Sequence, residues 1–333
     1  MGSVAPPLVP TIDIAAFLAD PTSEEANDIV DAVRQACTKT GFFQITGHGF
    51  PKAAQDAMFQ ASKKFFALPM DEKVKLDAKT TIGYRGYDVL ASQVYDTSGE
   101  VLPDLKEGFY VGHDLPLSDP VVVARRFFMG PNVWPSPSSL SPQDFQHPVE
   151  AYHAAVNSLA LKMLDLVART LPYDTKAIFA EFSTGYVIAP LRLLHYPPAA
   201  INAATQTPRT GAGAHTDMGA ITLLLQNDQP GLEVLHPSTG EFVAVDPTPG
   251  AFVVNVGDML SAWTGGMYKS SVHRVINRHP VDRYSAAFFF DGSLDCPLDP
   301  LDGSGTGPKG ELTVEKHVIN RIMQSYGTKG NSG

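Results

Sequence analysis

This sequence predicts a mainly-β fold with flanking helices, and three observations carry that expectation. From about residue 186 to 292 the chain runs as short, β-prone apolar segments broken by Gly and Pro, the pattern of a sandwich or barrel. Segments of helical periodicity lie on both sides of it, at about 148–170 and 312–326. Three candidate metal ligands, His215, Asp217 and His273, border the β-prone segments rather than the helical ones. A jelly roll, or double-stranded β-helix, suits this arrangement, because its facing strands carry inner-face side chains to a shared interior. An α/β region precedes it.

The elements follow in order. Thr22 and Glu25 have capping-box spacing ahead of a helix whose Ile29, Val30, Val33, Ala36 and Cys37 follow helical periodicity. Gly41 ends that helix and Phe42–Thr46 reads as a strand. A second helix is expected over about 52–67, with Met58, Phe59 and Phe65 as its apolar stripe. Residues 78–145 are rich in Gly and Pro and read as loops with short strands. The long helix at about 148–170 presents Val149, Tyr152, Val156, Leu159, Met163 and Val167, a stripe that packs on a sheet. The last helix, marked by Val314, Val318, Ile322 and Met323, either closes over the barrel mouth or packs outside it. Residues 1–7 read as a loose arm and Gly327–Gly333 as a flexible tail.

Composition narrows the function. A chain of 333 residues with 44% hydrophobic and 18% charged residues is globular rather than disordered. Its formal net charge of −10 argues against nucleic acid, whose phosphates demand a basic patch. No apolar run is long enough to span a bilayer. The N-terminus lacks the basic and apolar segments of a signal peptide, and Pro6 stands where a myristoylation motif wants Ser or Thr. The two cysteines, Cys37 and Cys296, lie far apart, which fits a reducing compartment. A cytoplasmic protein acting on a small molecule, with no membrane, nucleic-acid or obligate protein partner, is expected.

The candidate site rests on spacing. His215 and Asp217, two residues apart, point to the same side of a strand. His273 from a distant strand completes two imidazoles and one carboxylate on one face of a metal, leaving the opposite face open for O2 and a co-substrate, as in non-haem Fe(II) oxygenases. Arg283 and Ser285, in Arg283-Tyr284-Ser285, also share a side, where a guanidinium and a hydroxyl jointly suit a carboxylate.

These segments resemble the iron(II)- and 2-oxoglutarate-dependent dioxygenases of the isopenicillin N synthase-like superfamily. The resemblance extends from Gly213–Gly219 and Ser270–Val275 to Gly41–Phe50, Lys64–Pro69, Gly83–Tyr87 and Leu193–Pro198. It covers most of residues 8–293 and implies one catalytic unit: an N-terminal region at 8–115, a jelly-roll core at 186–293, and supporting helices at 148–183 and 312–326. It also implies Fe(II) on His215, Asp217 and His273, with 2-oxoglutarate and O2 as co-substrates. Arg283, Ser285 and Tyr196 would hold the 2-oxoglutarate. The reaction implied is hydroxylation, desaturation or cyclisation of a small organic molecule in specialised metabolism, with release of succinate and CO2. Where many plant members carry Asn two positions before the tyrosine, this chain has Leu194.

Substrate contacts are expected from Arg192, Phe109, Tyr110, Trp263, Met267 and Phe290. Arg192, four residues from Tyr196 and on its face, either meets the substrate or forms a structural salt bridge. His195 faces the other way, and Glu107 reads as a brace for its loop; His113, His147, His153, His236, His279 and His317 read as surface residues. Three alternatives stay open. An oxidase of the same fold takes its electrons from the substrate and uses no 2-oxoglutarate. A zinc hydrolase wants a general-base carboxylate beside the metal, as in H-E-x-x-H, which this chain lacks. A non-catalytic binding protein would retain the fold alone.

Overall fold

In the computed structural model, residues 7–90, 104–198, 210–304 and 309–327 are described. The expected arm and tail fall almost wholly outside these residues, as does 91–103 within the Gly- and Pro-rich stretch. The strands are β1 (Thr11–Asp13), β2 (Phe42–Thr46), β3 (Gly86–Asp88), β4 (Glu107–Val111), β5 (Val187–Ile188), β6 (Leu191–Tyr196) and β7 (Ala212–His215). They continue as β8 (Ile221–Gln226), β9 (Leu232–Leu235), β10 (Phe242–Ala244), β11 (Phe252–Val256), β12 (His273–Val275), β13 (Arg283–Phe290) and β14 (Gly292–Ser293). The helices are α1 (Ala15–Ala19), α2 (Glu24–Lys39), α3 (Lys52–Phe66), α4 (Met70–Val74) and α5 (Pro120–Val123), then α6 (Gln146–Thr170), α7 (Lys176–Phe182), α8 (Asp258–Trp263) and α9 (Val314–Gly327).

The jelly roll is present. An eight-stranded sheet has the order β1-β2-β11-β8-β13-β6-β4-β3, and a four-stranded sheet the order β10-β9-β12-β7. From β6 to β13 the chain passes back and forth between the two. The N-terminal strands do more than pack on this core. β2 pairs with β11 and β4 with β6, so the first third of the chain extends both edges of the large sheet. Those edges would otherwise present unpaired backbone groups.

Strand alternation sorts the large sheet into two faces. On β13 the outward residues Ala286, Phe288 and Phe290 are buried, and the Phe288 ring meets His153 of α6. Phe65 of α3 stacks on Phe145, and both contact Phe109 of β4. Burying each such ring contributes on the order of 2–3 kcal/mol. The helices therefore cover one face, and the small sheet covers the other.

Local details refine the expected elements. The N-cap of α2 is Ser23, whose hydroxyl accepts from the Ala26 amide at 3.1 Å, rather than Thr22. The Thr22 hydroxyl instead donates to Asp20. Val314 and Val318 bury one side of α9. His317 lies within hydrogen-bonding distance of the Met218 carbonyl (3.2 Å), and Arg321 pairs with Asp258. The last helix thus lies against the loop that follows Asp217. His153 and His317 are correspondingly not free surface residues: both are part-buried and hydrogen-bonded to backbone.

Candidate metal centre

β7 ends on His215 and β12 begins on His273, and the two are direct cross-strand partners. Their ring centroids lie 4.4 Å apart. Asp217 is not on the strand, as the H-x-D spacing suggests; it lies two residues past the end of β7. Its Oδ1 nevertheless stands 3.9 Å from His215 Nε2 and 3.8 Å from His273 Nε2. Two metal–ligand bonds of about 2.0–2.2 Å span such a gap. One ligand atom from each residue lies within 4.8 Å of the others.

The atoms that do not face this point are already held. His215 Nδ1 is 2.7 Å from the Gly213 carbonyl and His273 Nδ1 is 3.2 Å from the Ser271 carbonyl. A carbonyl only accepts, so each Nδ1 carries the proton and each Nε2 presents its lone pair inward. Asp217 Oδ2 accepts from Thr222 Oγ1 at 2.5 Å and Asn255 Nδ2 at 2.8 Å. The Asp258 amide donates to the Asp217 carbonyl at 2.7 Å, and Thr216 donates its hydroxyl to the Asp258 carboxylate at 3.0 Å.

Electrostatics prepares the same atoms. Burial, with His273 beside it, pulls His215 down to about 3, so its ring is neutral near pH 7. Burial works against the Asp217 carboxylate, but the neighbouring His273 and His215 and the bonds from Asn255 and Thr222 outweigh it and hold the group low. A neutral imidazole and an ionised carboxylate are the forms that bind a metal.

Further along the interior, Arg283 is wholly buried. Its Nη2 donates to Gln226 Oε1 at 2.7 Å, and its guanidinium lies 4.8 Å from the centre of the Tyr196 ring, its cross-strand partner. Nε and Nη1 have no partner among the described residues, and neither does Ser285 Oγ. Buried donors are ordinarily satisfied. An unsatisfied guanidinium beside an unsatisfied hydroxyl fits an incoming carboxylate, so the residues present suit 2-oxoglutarate as well as the metal.

The expected substrate residues divide. Arg192 and Tyr110 lie on the interior face, where the Arg192 guanidinium sits 4.9 Å from the Tyr110 ring centre. Arg192 also forms a buried ion pair with Asp88, the salt bridge that was one of its two expected roles. Phe109, Trp263, Met267 and Phe290 need correction. Phe109 and Phe290 occupy the outward register of β4 and β13, in the aromatic core behind the sheet. Trp263 stacks on Phe179 and donates Nε1–H to the Asp299 carbonyl. Met267 is 36% exposed in the turn after α8, next to Tyr268, which bonds Thr170 of α6. The alternation that selects Arg283 and Ser285 selects Phe289, not Phe290.

Several residues escape motif reading. Thr222, Gln226 and Asn255 serve the site through cross-strand register, and only alternation counted along β8 and β11 would have found them. Glu107 does more than brace a loop: its carboxylate is buried among Lys73, Tyr87 and His195, behind the Tyr196 strand. Asp291 is buried near Asp217, and burial, with that neighbouring charge, pushes it up to about 7.

Comparison with known proteins defines the class. A family model described as the 2OG-Fe(II) oxygenase superfamily matches residues 188–292, and one described as non-haem dioxygenase in morphine synthesis N-terminal matches 9–137. The chain is 51% identical over 324 residues to the 2-oxoglutarate-dependent dioxygenase citB of Monascus ruber, with 96% of each covered. It is 45% identical over 327 residues to the clavatol oxidase claD of Penicillium crustosum, again with 96% of each covered. Among solved structures, it resembles a full-length Neurospora crassa protein in complex with alpha-KG at 25% identity and TM-score 0.79, covering 94% of this chain and 95% of that one. A rice dioxygenase for auxin oxidation matches at 27% identity and TM-score 0.69, with 96% of each covered.

The chain belongs to the 2OG-Fe(II) oxygenase superfamily. It is an oxidoreductase, a dioxygenase that uses Fe(II), 2-oxoglutarate and O2 to oxidise a small organic molecule. Its place among 2-oxoglutarate-dependent dioxygenases favours that activity over the oxidase, hydrolase and binding-protein alternatives. No helix among the described residues is long and apolar enough to cross a membrane.

Proposed function

We propose that His215, Asp217 and His273 hold the iron, and that Arg283, Ser285 and Tyr196 hold 2-oxoglutarate by its remote carboxylate. The observation that carries this reading is the unsatisfied pair: two buried N–H groups of Arg283 and the buried hydroxyl of Ser285, on the interior that the metal ligands share. When bound, iron and 2-oxoglutarate together activate O2 for oxidation of a C–H bond, with succinate and CO2 as co-products. The chain's part is to orient and to exclude water. Thr222 and Asn255 fix one carboxylate oxygen of Asp217 so that the other faces the metal. Gln226 steers the Arg283 guanidinium, and the Tyr196 ring covers it.

The prime substrate is a small molecule of specialised metabolism, a reading supported by relatives such as clavatol oxidase. Arg192 and Tyr110 remain candidate contacts with it. The N-terminal region, the jelly roll and the supporting helices act as one catalytic unit, as the shared eight-stranded sheet supports. We place the protein in the cytoplasm, where its two buried free cysteines stay reduced.

The test is titration of 2-oxoglutarate against the iron-loaded wild type and Arg283→Leu, with succinate and O2 consumption both measured. The expected result is succinate formation by the wild type and a much higher 2-oxoglutarate requirement in the variant. O2 consumption without succinate, or an unchanged requirement in Arg283→Leu, would overturn the reading.

A further inference from the structure

The interior face of β13 carries every second residue: Arg283, Ser285, Ala287, Phe289 and, one step past the strand, Asp291. Register with β8 sets Ser285 beside Gln226, Ala287 beside Leu224 and Phe289 beside Thr222. Thr222 is the residue whose hydroxyl holds Asp217. The row therefore begins at the co-substrate clamp, passes the small side chain of Ala287, and reaches Phe289 level with the metal-ligand support. Asp291 stands one step farther from the clamp. A prime substrate needs access to the metal without displacing the co-substrate, and the far end of the row is the part of this face that the clamp leaves.

The two far residues differ in chemistry. Phe289 is only partly buried and leans on the interior apolar cluster, so part of its ring is available. Asp291 is 7% exposed; a backbone bond from Ala220 favours its carboxylate, but Oδ1 makes no hydrogen bond of ordinary geometry among the described residues. Nor is its position slack. A Cβ on Gly219 would fall 1.5 Å from that oxygen, so glycine at 219 is what lets the carboxyl lie against the loop that carries Asp217. Buried carboxyl oxygens are ordinarily satisfied; the Ala220 backbone supplies one bond to this carboxyl, and burial still outweighs it, so the group has capacity for a further donor. That donor is better neutral than cationic. Arg192 and Lys106 are already paired with Asp88 and Asp104, and desolvating an ammonium is far costlier than desolvating a hydroxyl.

We propose that Phe289 and Asp291 select the prime substrate as a small hydroxylated aromatic, whose ring packs on Phe289 and whose hydroxyl donates to the Asp291 carboxyl. This rests on the oxygenase reading above and names the substrate class of that same site. Aromatic rings pair favourably in offset or edge-to-face geometry, and a carboxyl at the rim rejects an O-methylated analogue that cannot donate.

The experiment uses the full chain loaded anaerobically with Fe(II) and 2-oxoglutarate. The probes are two matched pairs that differ only by O-methylation: p-cresol with p-methylanisole, and m-cresol with m-methylanisole. Two readouts are taken: the visible charge-transfer band of the iron–2-oxoglutarate complex, and probe affinity by ligand-observed NMR. In the wild type at least one cresol is expected to bind about tenfold or more tightly than its methyl ether. Asp291→Leu abolishes that preference, and Asp291→Asn keeps part of it, because the amide oxygen still accepts. Phe289→Ala weakens both members of a pair alike. Should the leucine variant not fold, the asparagine and Phe289→Ala variants decide the matter: a full preference in Asp291→Asn together with unweakened probes in Phe289→Ala counts against the proposal. A normal band with no cresol binding, with equal binding of a pair, or with a preference that survives in Asp291→Leu overturns the inference alone. Absence of the band in the wild type overturns the oxygenase reading, and the inference with it.

Discussion

The metal-ligand end of the interior and the Arg283 end are built on opposite terms. At the first, each ligand's outward atoms are already bonded: imidazole N–H groups to backbone carbonyls, the spare carboxylate oxygen to Thr222 and Asn255. At the second, a wholly buried guanidinium keeps two nitrogens, Nε and Nη1, without a partner among the described residues, and the Ser285 hydroxyl has none there either. The first is organised before anything binds. The second carries an uncompensated desolvation cost that an incoming carboxylate relieves. Rigid ligand geometry suits a resident ion, whereas an incompletely paired cation suits a co-substrate that enters and leaves in each turnover.

The largest expected effect breaks the organised end outright. Asp217→Ala removes one of the three proposed ligands and its charge, so turnover should be abolished and Fe(II) binding sharply weakened; full activity under limiting iron would refute the assignment. Next comes the unsatisfied end. Arg283→Leu should cost about 2–5 kcal/mol of 2-oxoglutarate affinity, roughly 30- to several-thousand-fold. Arg283→Lys should restore only part of it, since an ammonium lacks the planar fork. Iron affinity should be nearly unchanged in both, which equilibrium dialysis checks.

The same variant sharpens the contrast from the other side. If Arg283 is an uncompensated charge, Arg283→Leu without 2-oxoglutarate should melt no lower than the wild type, while 2-oxoglutarate raises the melting temperature of the wild type only. A large loss of stability without the co-substrate would show that the guanidinium already serves the fold. A smaller effect is expected from Asn255→Ala, which leaves all three ligands but loosens Asp217: metal affinity should fall about 10- to 100-fold, by analogy with other supporting residues around bound metals. The smallest should come from Arg321→Ala. Its ion pair with Asp258 is partly exposed and worth at most about 1 kcal/mol, so a metal affinity within a few-fold of wild type, by the same dialysis, is expected.

What was legible divides along the same line. Periodicity exposed the long helix, Gln146–Thr170 against an expected 148–170, because its apolar stripe repeats over many turns. Likewise, short β-prone segments exposed the jelly roll. The H-x-D and R-x-S spacings exposed the residues that converge, because each pair is local. Their supporting residues were not legible. Asn255 and Thr222 reach Asp217 only through the pairing of β11 with β8, and register between strands is not written in either strand alone. Phe290 and Phe289 show how narrow the margin is: one residue of parity separates the aromatic core from the site interior. Trp263 and Met267 failed for another reason. Their apolar character said nothing about which side of the sheet α8 and its turn would occupy.

The sequence by itself determined the β-rich core with its helices, the acidic character, and the three proposed ligands and the Arg283/Ser285 pair as residue types. Those are properties of residue type and short spacing. Tertiary structure alone decided that Asp217 lies beyond its strand yet within 4 Å of both histidines, that Arg283 is fully buried with N–H groups to spare, and that the last helix rests on the loop after Asp217. The physical reason is that local spacing fixes which side chains share a face. Long-range strand register and helix docking fix what that face meets, and with it which buried groups are satisfied and which still await a partner.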